Sequence, residues 1–175
     1  MWSRSECVAE RRGGLRYDPE NWWWRDSPLE PGRAAVFDVD GVLADATHRQ
    51  HLVTGARRNW PLFFDLCGKD ALIDEVANMG RLLDRDLRII LCTARPASVA
   101  AETLDWLARY DVRWDLLVMR EYGDYALARD FKQYSVHELR AYGFALEMAV
   151  EDDPRNKAMF DHEGIPCVYI HSGYH

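Results

Sequence analysis

The sequence predicts an α/β protein built around an open parallel sheet, and three observations predict it. Short apolar runs alternate with amphipathic helical stripes from Ala34 to Ile170, and strand–helix–strand alternation means parallel strands joined by right-handed crossovers. Acids, a hydroxyl and bases collect directly behind four of the apolar runs, where an open parallel sheet places its ligands. The chain has 175 residues, 48% of them hydrophobic, which suits one domain with a full core.

Residues 1–33 read as an N-terminal arm and 34–175 as the domain. Arg11, Arg12, Gly13 and Gly14, followed by NWWWRDSPLEPG, mark irregular chain. Trp22, Trp23 and Trp24 are either a platform for stacked bases or large apolar groups that pin the arm to the domain, and pinning is the expectation. RAAVF is the first buried strand. LIDEVANMGRLLD is a helix with a stripe through Leu72, Ile73, Val76, Met79, Leu82 and Leu83. RIILCT is a strand, and ASVAAETLDWLARY is a helix with Val99, Thr103, Trp106, Leu107 and Tyr110 on one side. WDLLVM is the third strand, and RDFKQYSVHELRAYGF a helix ending near Gly143. ALEMAV, the helix PRNKAMFDHEG and the strand IPCVYI complete a five-stranded sheet. Between Gly41 and the second strand, NWPLFFDLCG and one helix are too short for more than a small cap, so the site is expected to stay open to bulky substrates.

The net charge of −7 argues against a protein that coats nucleic acid with a basic face, but not against an enzyme that grips a strand end in a small basic pocket. No run is long enough to span a membrane, and the charged N-terminus lacks the apolar segment of a signal peptide. Cys7, Cys67, Cys92 and Cys167 are scattered and form no metal-binding spacing. These features imply a cytoplasmic protein with reduced thiols.

The strand ends carry chemistry. Asp38 and Asp40 follow the first strand, Thr93 and Arg95 the second, Arg120 and later Lys132 the third, and Glu151, Asp152 and Asp153 the fourth. Asp38 and Asp40 are spaced to share a side of an extended chain. With Asp152 and Asp153 they form an all-oxygen cluster that repels itself without a cation, and Mg2+ is the natural ion for such donors. Arg49, Arg95 and Lys132 are placed to surround an anion, with the two guanidiniums at the rim gripping phosphate oxygens. A metal, cationic donors and a carboxylate nucleophile together suit phosphoryl transfer. His48 reads as a loop histidine beside Arg49, Arg120 and Asp124 as loop braces, and Arg155 and Asn156 as the start of a helix.

DVDG in FDVDGVLAD, the Thr of LCTAR, the Lys of RDFK and the DD of VEDDPRN resemble, in order, the four motifs of the haloacid dehalogenase (HAD) superfamily. Within it, Arg49, Arg95, the MREYGDY stretch and the closing VYIHSGYH resemble the phosphatase domain of polynucleotide kinase/phosphatase. Ala128 stands where that family commonly has Asp, and no P-loop is present. The resemblance implies a HAD-like Rossmannoid three-layer sandwich and a Mg2+-dependent phosphomonoesterase that removes 3′-phosphates from nucleic-acid ends. It implies that Asp38 attacks phosphorus to form an aspartyl-phosphate and that Asp40 protonates the leaving oxygen and then activates water. Thr93 would bond a phosphoryl oxygen and Lys132 balance the charges. Asp152 and Asp153 would hold Mg2+ with Asp38 and the Asp40 carbonyl, and Gly41 would turn the chain beneath the phosphate. The same chemistry on nucleotides or small esters, or a phosphate-binding protein without catalysis, are the alternatives.

Overall fold

The computed structural model describes residues 18–175; Cys7 and the Arg11–Gly14 part of the arm lie outside them. The elements run β1 (Trp22–Trp24), β2 (Arg33–Phe37), β3 (Ala44–Asp45), α1 (Thr47–Gln50), α2 (Trp60–Asp65), β4 (Ala71–Leu72), α3 (Asp74–Leu82), β5 (Arg88–Pro96), α4 (Ala100–Arg109), β6 (Leu116–Arg120), α5 (Ala128–Tyr142), β7 (Ala145–Glu151), α6 (Pro154–His162) and β8 (Cys167–Tyr169). Single 3₁₀ turns lie at Cys67–Lys69 and Ala97–Val99.

The sheet has the order β1-β6-β5-β2-β7-β8. The five expected strands are all parallel. The sixth, β1, is antiparallel to β6, with Trp22 opposite Val118 and Trp24 opposite Leu116. The expectation of wholly irregular chain before Ala34 is therefore corrected at the tryptophans. Their bulk covers the exposed edge of β6, as an unpaired edge favours.

Side chains alternate across the sheet, as strand geometry requires. Ala35 and Phe37 of β2, Ile89 and Leu91 of β5 and Leu117 and Met119 of β6 pack with Val76 of α3 and Trp106 of α4. Ala34, Val36, Ile90, Leu116 and Val118 face the other way, onto Phe131 and Leu139 of α5 and Phe160 of α6. Both faces are covered, which explains why the strands are continuous apolar runs. Helix α3 starts two residues later than the apolar stripe because Ala71 and Leu72 pair with Asp45 and Ala44 instead. Asp74 and Glu75 then occupy its first turn, where the helix dipole favours acids. Leu82, counted in the stripe, is exposed.

The segment between β2 and β5 holds α1, α2, a 3₁₀ turn and the two-residue strands β3 and β4. It is a small cap. No helix among the described residues is long and apolar enough to cross a membrane.

Trp22 is buried and joins Trp24, Tyr142 and Phe144 in an aromatic cluster, its ring centroid 5.2 Å from that of Tyr142. Buried there, Trp22 is no platform for bases. A double-mutant cycle of Trp22→Ala and Tyr142→Ala, read by urea unfolding, should return a coupling of about 0.5–1.5 kcal/mol; additive effects would mean that β1 is not pinned through this pair.

Candidate active site

Strand β2 lies between β5 and β7, so the chain winds away from it in both directions. The carboxyl ends of these three strands flank the crevice where open α/β sheets bind ligands. Asp38 follows β2, Thr93 and Arg95 sit at the end of β5, and Glu151 ends β7 just before Asp152 and Asp153. Helix α5 supplies Lys132, whose Nζ lies 2.8 Å from Asp38 Oδ2 and 2.6 Å from Glu151 Oε2. Glu151 Oε1 in turn accepts from the backbone N–H groups of Asp152 and Asp153.

Oxygens of Asp38, Glu151 and Asp152 lie within 4.8 Å of one another. Burial, reinforced by the charge of Glu151 and only partly offset by Lys132, pushes Asp38 well above the ordinary carboxylate range. Burial also lifts Asp152 to about 7, opposed by a hydrogen bond from Ser172 and assisted by Glu151. Glu151 is itself held low: burial opposes its ionisation, but the adjacent Lys132 charge outweighs it. The ammonium of Lys132 is stabilised by Asp38 and Glu151 against the cost of its burial. One lysine facing three acids leaves a deficit of positive charge, and hard oxygen donors in that state fit a divalent cation.

Strand β2 ends at Phe37, and the chain turns through Gly41 at φ 78° while the Gly41 N–H donates to Ala44 O. Asp38 and Asp40, two residues apart, meet different partners here: Lys132 for Asp38 and two arginines for Asp40. A Cβ on Gly41 would lie 2.0 Å from Asp152 Oδ2, so this turn passes directly against the acidic edge, and only glycine fits. The Asp40 carboxylate accepts from Arg49 Nη2 at 2.6 Å and from Arg95 Nη2 at 2.6 Å and Nε at 3.0 Å. Burial would raise its pKa, but Arg95 and then Arg49 more than offset that and hold Asp40 below its ordinary value.

The expected rim position of Arg49 and Arg95 is corrected. Both guanidiniums are 0% exposed. Each also bonds Asp70, Arg49 through Nε and Nη2 and Arg95 through Nη2 at 2.8 Å. Arg49 further stacks on the Phe63 ring of α2, its Cζ 4.1 Å from the centroid. Two cations and two carboxylates thus close a neutral, buried network beneath the site, and neither arginine is left to grip a second phosphate. His48, expected to be an idle loop residue, bonds Asp70 Oδ1 at 2.8 Å.

The expected metal ligands are also partly redistributed. Asp153 caps α6 by accepting from Arg155 N–H and pairs with the Arg155 guanidinium at 2.6 Å. Glu151 is the third carboxylate of the oxygen cluster, beside Asp38 and Asp152. Thr93 is buried at the crevice, its hydroxyl accepting from Arg95 N–H at 3.3 Å. Asp70 is the residue sequence reasoning missed, and Glu151, named at its strand end, was given no role there. Glu151 was signalled by its place at a strand end beside two acids; Asp70 sits in the cap segment with no motif around it.

The phosphatase domain of polynucleotide kinase PNKP, as a family model, matches residues 32–175. The chain belongs to that family. This phosphatase domain of the HAD type also has relatives of known structure. Two are chains titled as the Pnkp1/Rnl/Hen1 RNA repair complex and the Pnkp1/Rnl/Hen1 complex. They superpose with TM-scores of 0.65 and 0.64 at 23% and 20% identity, covering 89% and 97% of this chain and 48% and 56% of theirs. This chain therefore spans about half the length of each. A haloacid dehalogenase-like hydrolase from Streptococcus pneumoniae superposes at TM-score 0.51 and 10% identity, over 77% of this chain and 82% of its own. At these identities the superpositions speak for the fold. No curated protein matches the sequence significantly.

Two outcomes follow from the charges. Asp70→Asn removes one anion and leaves Arg49 and Arg95 buried around a single carboxylate, so urea unfolding should report a loss of about 3–5 kcal/mol; a loss below about 1 kcal/mol would contradict the network. Asp152 is raised from 3.8 to about 7, so its contribution is intact below pH 3.8 and is lost as pH rises toward 7. In metal-free buffer Asp152→Asn should therefore match the native protein near pH 4 and melt at a higher temperature near pH 8, which differential scanning calorimetry at the two pH values checks.

Proposed function

We propose that this chain is a Mg2+-dependent phosphomonoesterase that acts through an aspartyl-phosphate and removes 3′-phosphates from nucleic-acid ends. The observation that carries the reading is Asp38 held 2.8 Å from Lys132 at the carboxyl end of the central strand, in a chain of a phosphatase-domain family. The nucleic-acid substrate is supported by that family and by a structural relative from the Pnkp1/Rnl/Hen1 RNA repair complex. We read residues 34–175 as the catalytic domain, 1–33 as an arm that lends it β1, and the free thiols of Cys67, Cys92 and Cys167 as fitting the cytoplasm.

In this mechanism Asp38 attacks phosphorus with the oxygen facing the crevice. Lys132 balances its charge and that of the entering phosphate, and Thr93 with the adjacent backbone amides bonds a phosphoryl oxygen. Asp38 and Asp152, with Glu151 beside them, would hold the cation, while Asp153 orients the start of α6. When bound, the cation neutralises phosphoryl oxygens as charge develops on them. Asp40 gives a proton to the leaving alkoxide and takes one from the water that cleaves the aspartyl-phosphate. Arg49 and Arg95 favour its basic form, which suits the second step. A phosphate dianion arriving nearby opposes them and favours the acid form that the first step needs.

Cations for a neighbouring phosphate must then come from elsewhere. Arg120, at the end of β6, has a buried Nε without a partner among the described residues and packs over Phe131, next to Lys132. A short 3′-phosphorylated oligonucleotide should exceed the matching 3′-mononucleotide in kcat/KM, and Arg120→Ala should cut that advantage by about tenfold or more, the worth of one charge-assisted contact. Mononucleotides as the better substrates would instead favour a phosphatase of small esters, which the net charge of −7 also suits.

Asp40→Asn keeps the shape but cannot carry the proton. It should slow alkyl phosphates such as nucleoside 3′-phosphates by about 10²–10⁴-fold and aryl phosphates, whose leaving group needs no proton, by less. Equal losses on both classes in steady-state assays would remove Asp40 from the acid role.

A further inference from the structure

We propose that Ser172 is a positioning residue that fixes the Asp152 carboxylate for a divalent cation, and that the turn Ser172–Tyr174 straps this acidic edge to the cap. The inference rests on the metal-dependent reading above and adds residues to it. After β8 the chain continues beside β7 as far as the Ile170 N–H, which donates to Glu151 O at 2.9 Å. It then crosses the carboxyl edge of the sheet. Ser172 Oγ donates to Asp152 Oδ2 at 2.6 Å.

The serine hydroxyl is itself oriented. The Tyr174 N–H donates to Ser172 Oγ at 3.2 Å, across a tight turn in which Gly173 has φ 82°. With its oxygen accepting there, the serine proton points at the carboxylate, a local side-chain turn of the kind serine forms readily. Tyr174 anchors the far side: its OH donates to Asp45 Oδ1 at 2.8 Å and lies 3.1 Å from Thr47 Oγ1. Thr47 opens α1, the helix that carries Arg49. The strap thus joins β8, the acidic edge and the cap within the five residues 170–174.

Several contacts converge on one oxygen. Asp152 Oδ2 takes the Ser172 bond, lies 3.6 Å from His175 Nε2 and is crowded by the Gly41 turn, whose glycine would place a Cβ 2.0 Å from Oδ2 and 3.2 Å from Ser172 Cβ. In this proposal Oδ1 is the oxygen that meets the cation. A carboxylate that spends one oxygen on a fixed donor is held in one orientation for its ligand role, which is what partners behind a metal ligand provide.

Isothermal titration of the whole chain with Mg2+ alone, without substrate, tests this. Ser172→Ala should weaken Mg2+ binding by about tenfold or more. Ser172→Thr, which keeps the hydroxyl, should recover most of the affinity, and the Mg2+ concentration giving half-maximal turnover should move in parallel. Tyr174→Phe leaves Ser172 in place but frees the anchor, so it should weaken binding by less than Ser172→Ala; it also carries the test if circular dichroism shows that Ser172→Ala does not fold. Native affinity in a folded Ser172→Ala, or in Tyr174→Phe, would overturn the strap while leaving the metal reading intact. A native protein that binds no Mg2+ would overturn both.

Discussion

Three buried charges and the partly exposed Asp40 organise this domain. Asp40 and Asp70 face Arg49 and Arg95, and the two arginines bond both acids. These side chains come from the turn after β2, from α1, from the short stretch before β4 and from the end of β5. A neutral set of this kind tolerates burial because every charge is paired and hydrogen-bonded. Apolar side chains of similar size could fill the space with equal or better stability, but they could not fix the Asp40 carboxylate or hold it ionised. The network therefore separates two nearby aspartates into two environments. Asp38 is raised by burial and a neighbouring acid, whereas Asp40 is lowered by two guanidiniums despite its burial. By themselves these shifts favour a neutral Asp38 and an ionised Asp40, so the proposed roles need positive charge beside Asp38 and a phosphate dianion beside Asp40 to reverse them.

The acidic edge works by the opposite logic. There Lys132 is shared between Asp38 and Glu151, and Asp152 is left without a cation of its own. Its pKa is raised first by burial, with the Glu151 charge adding to it. The same edge is crowded: the Gly41 turn, the end of β7 and the Ser172–Tyr174 turn meet at one carboxylate oxygen. A site that is tight around one oxygen and short of charge is prepared for a small, hard ligand.

Much of this was legible in the sequence. The five parallel strands follow from apolar runs that are buried on both faces, and the places of Asp38, Thr93 and Asp152 follow because residues at strand ends lie at one edge of the sheet; Lys132 arrives there from α5. What spacing along the chain does not report is the direction a side chain takes after the strand stops. Asp40 lies two residues from Asp38 yet bonds two arginines, whereas Asp38 bonds Lys132. Arg49 and Arg95 were legible as cations near the site, but their burial depends on Asp70, which no motif announces. The strand at Trp22–Trp24 was hidden for another reason. It is three residues long and held by distant partners, as in the bond from Asn21 to Met119 O, 98 residues away, and pairing over such a separation leaves no local pattern to read.

The central claim is that Asp38 forms a covalent bond to the phosphoryl group during turnover. Acid quenching of the native protein mixed with Mg2+ and a 3′-phosphorylated oligonucleotide, followed by mass spectrometry of its peptides, tests this most directly. One phosphoryl group should appear on the peptide containing Asp38, absent from Asp38→Asn and accumulating in Asp40→Asn if water attack becomes limiting. Turnover that proceeds with no phosphorylated Asp38 peptide, or at a comparable rate in a folded Asp38→Asn protein, would contradict the account.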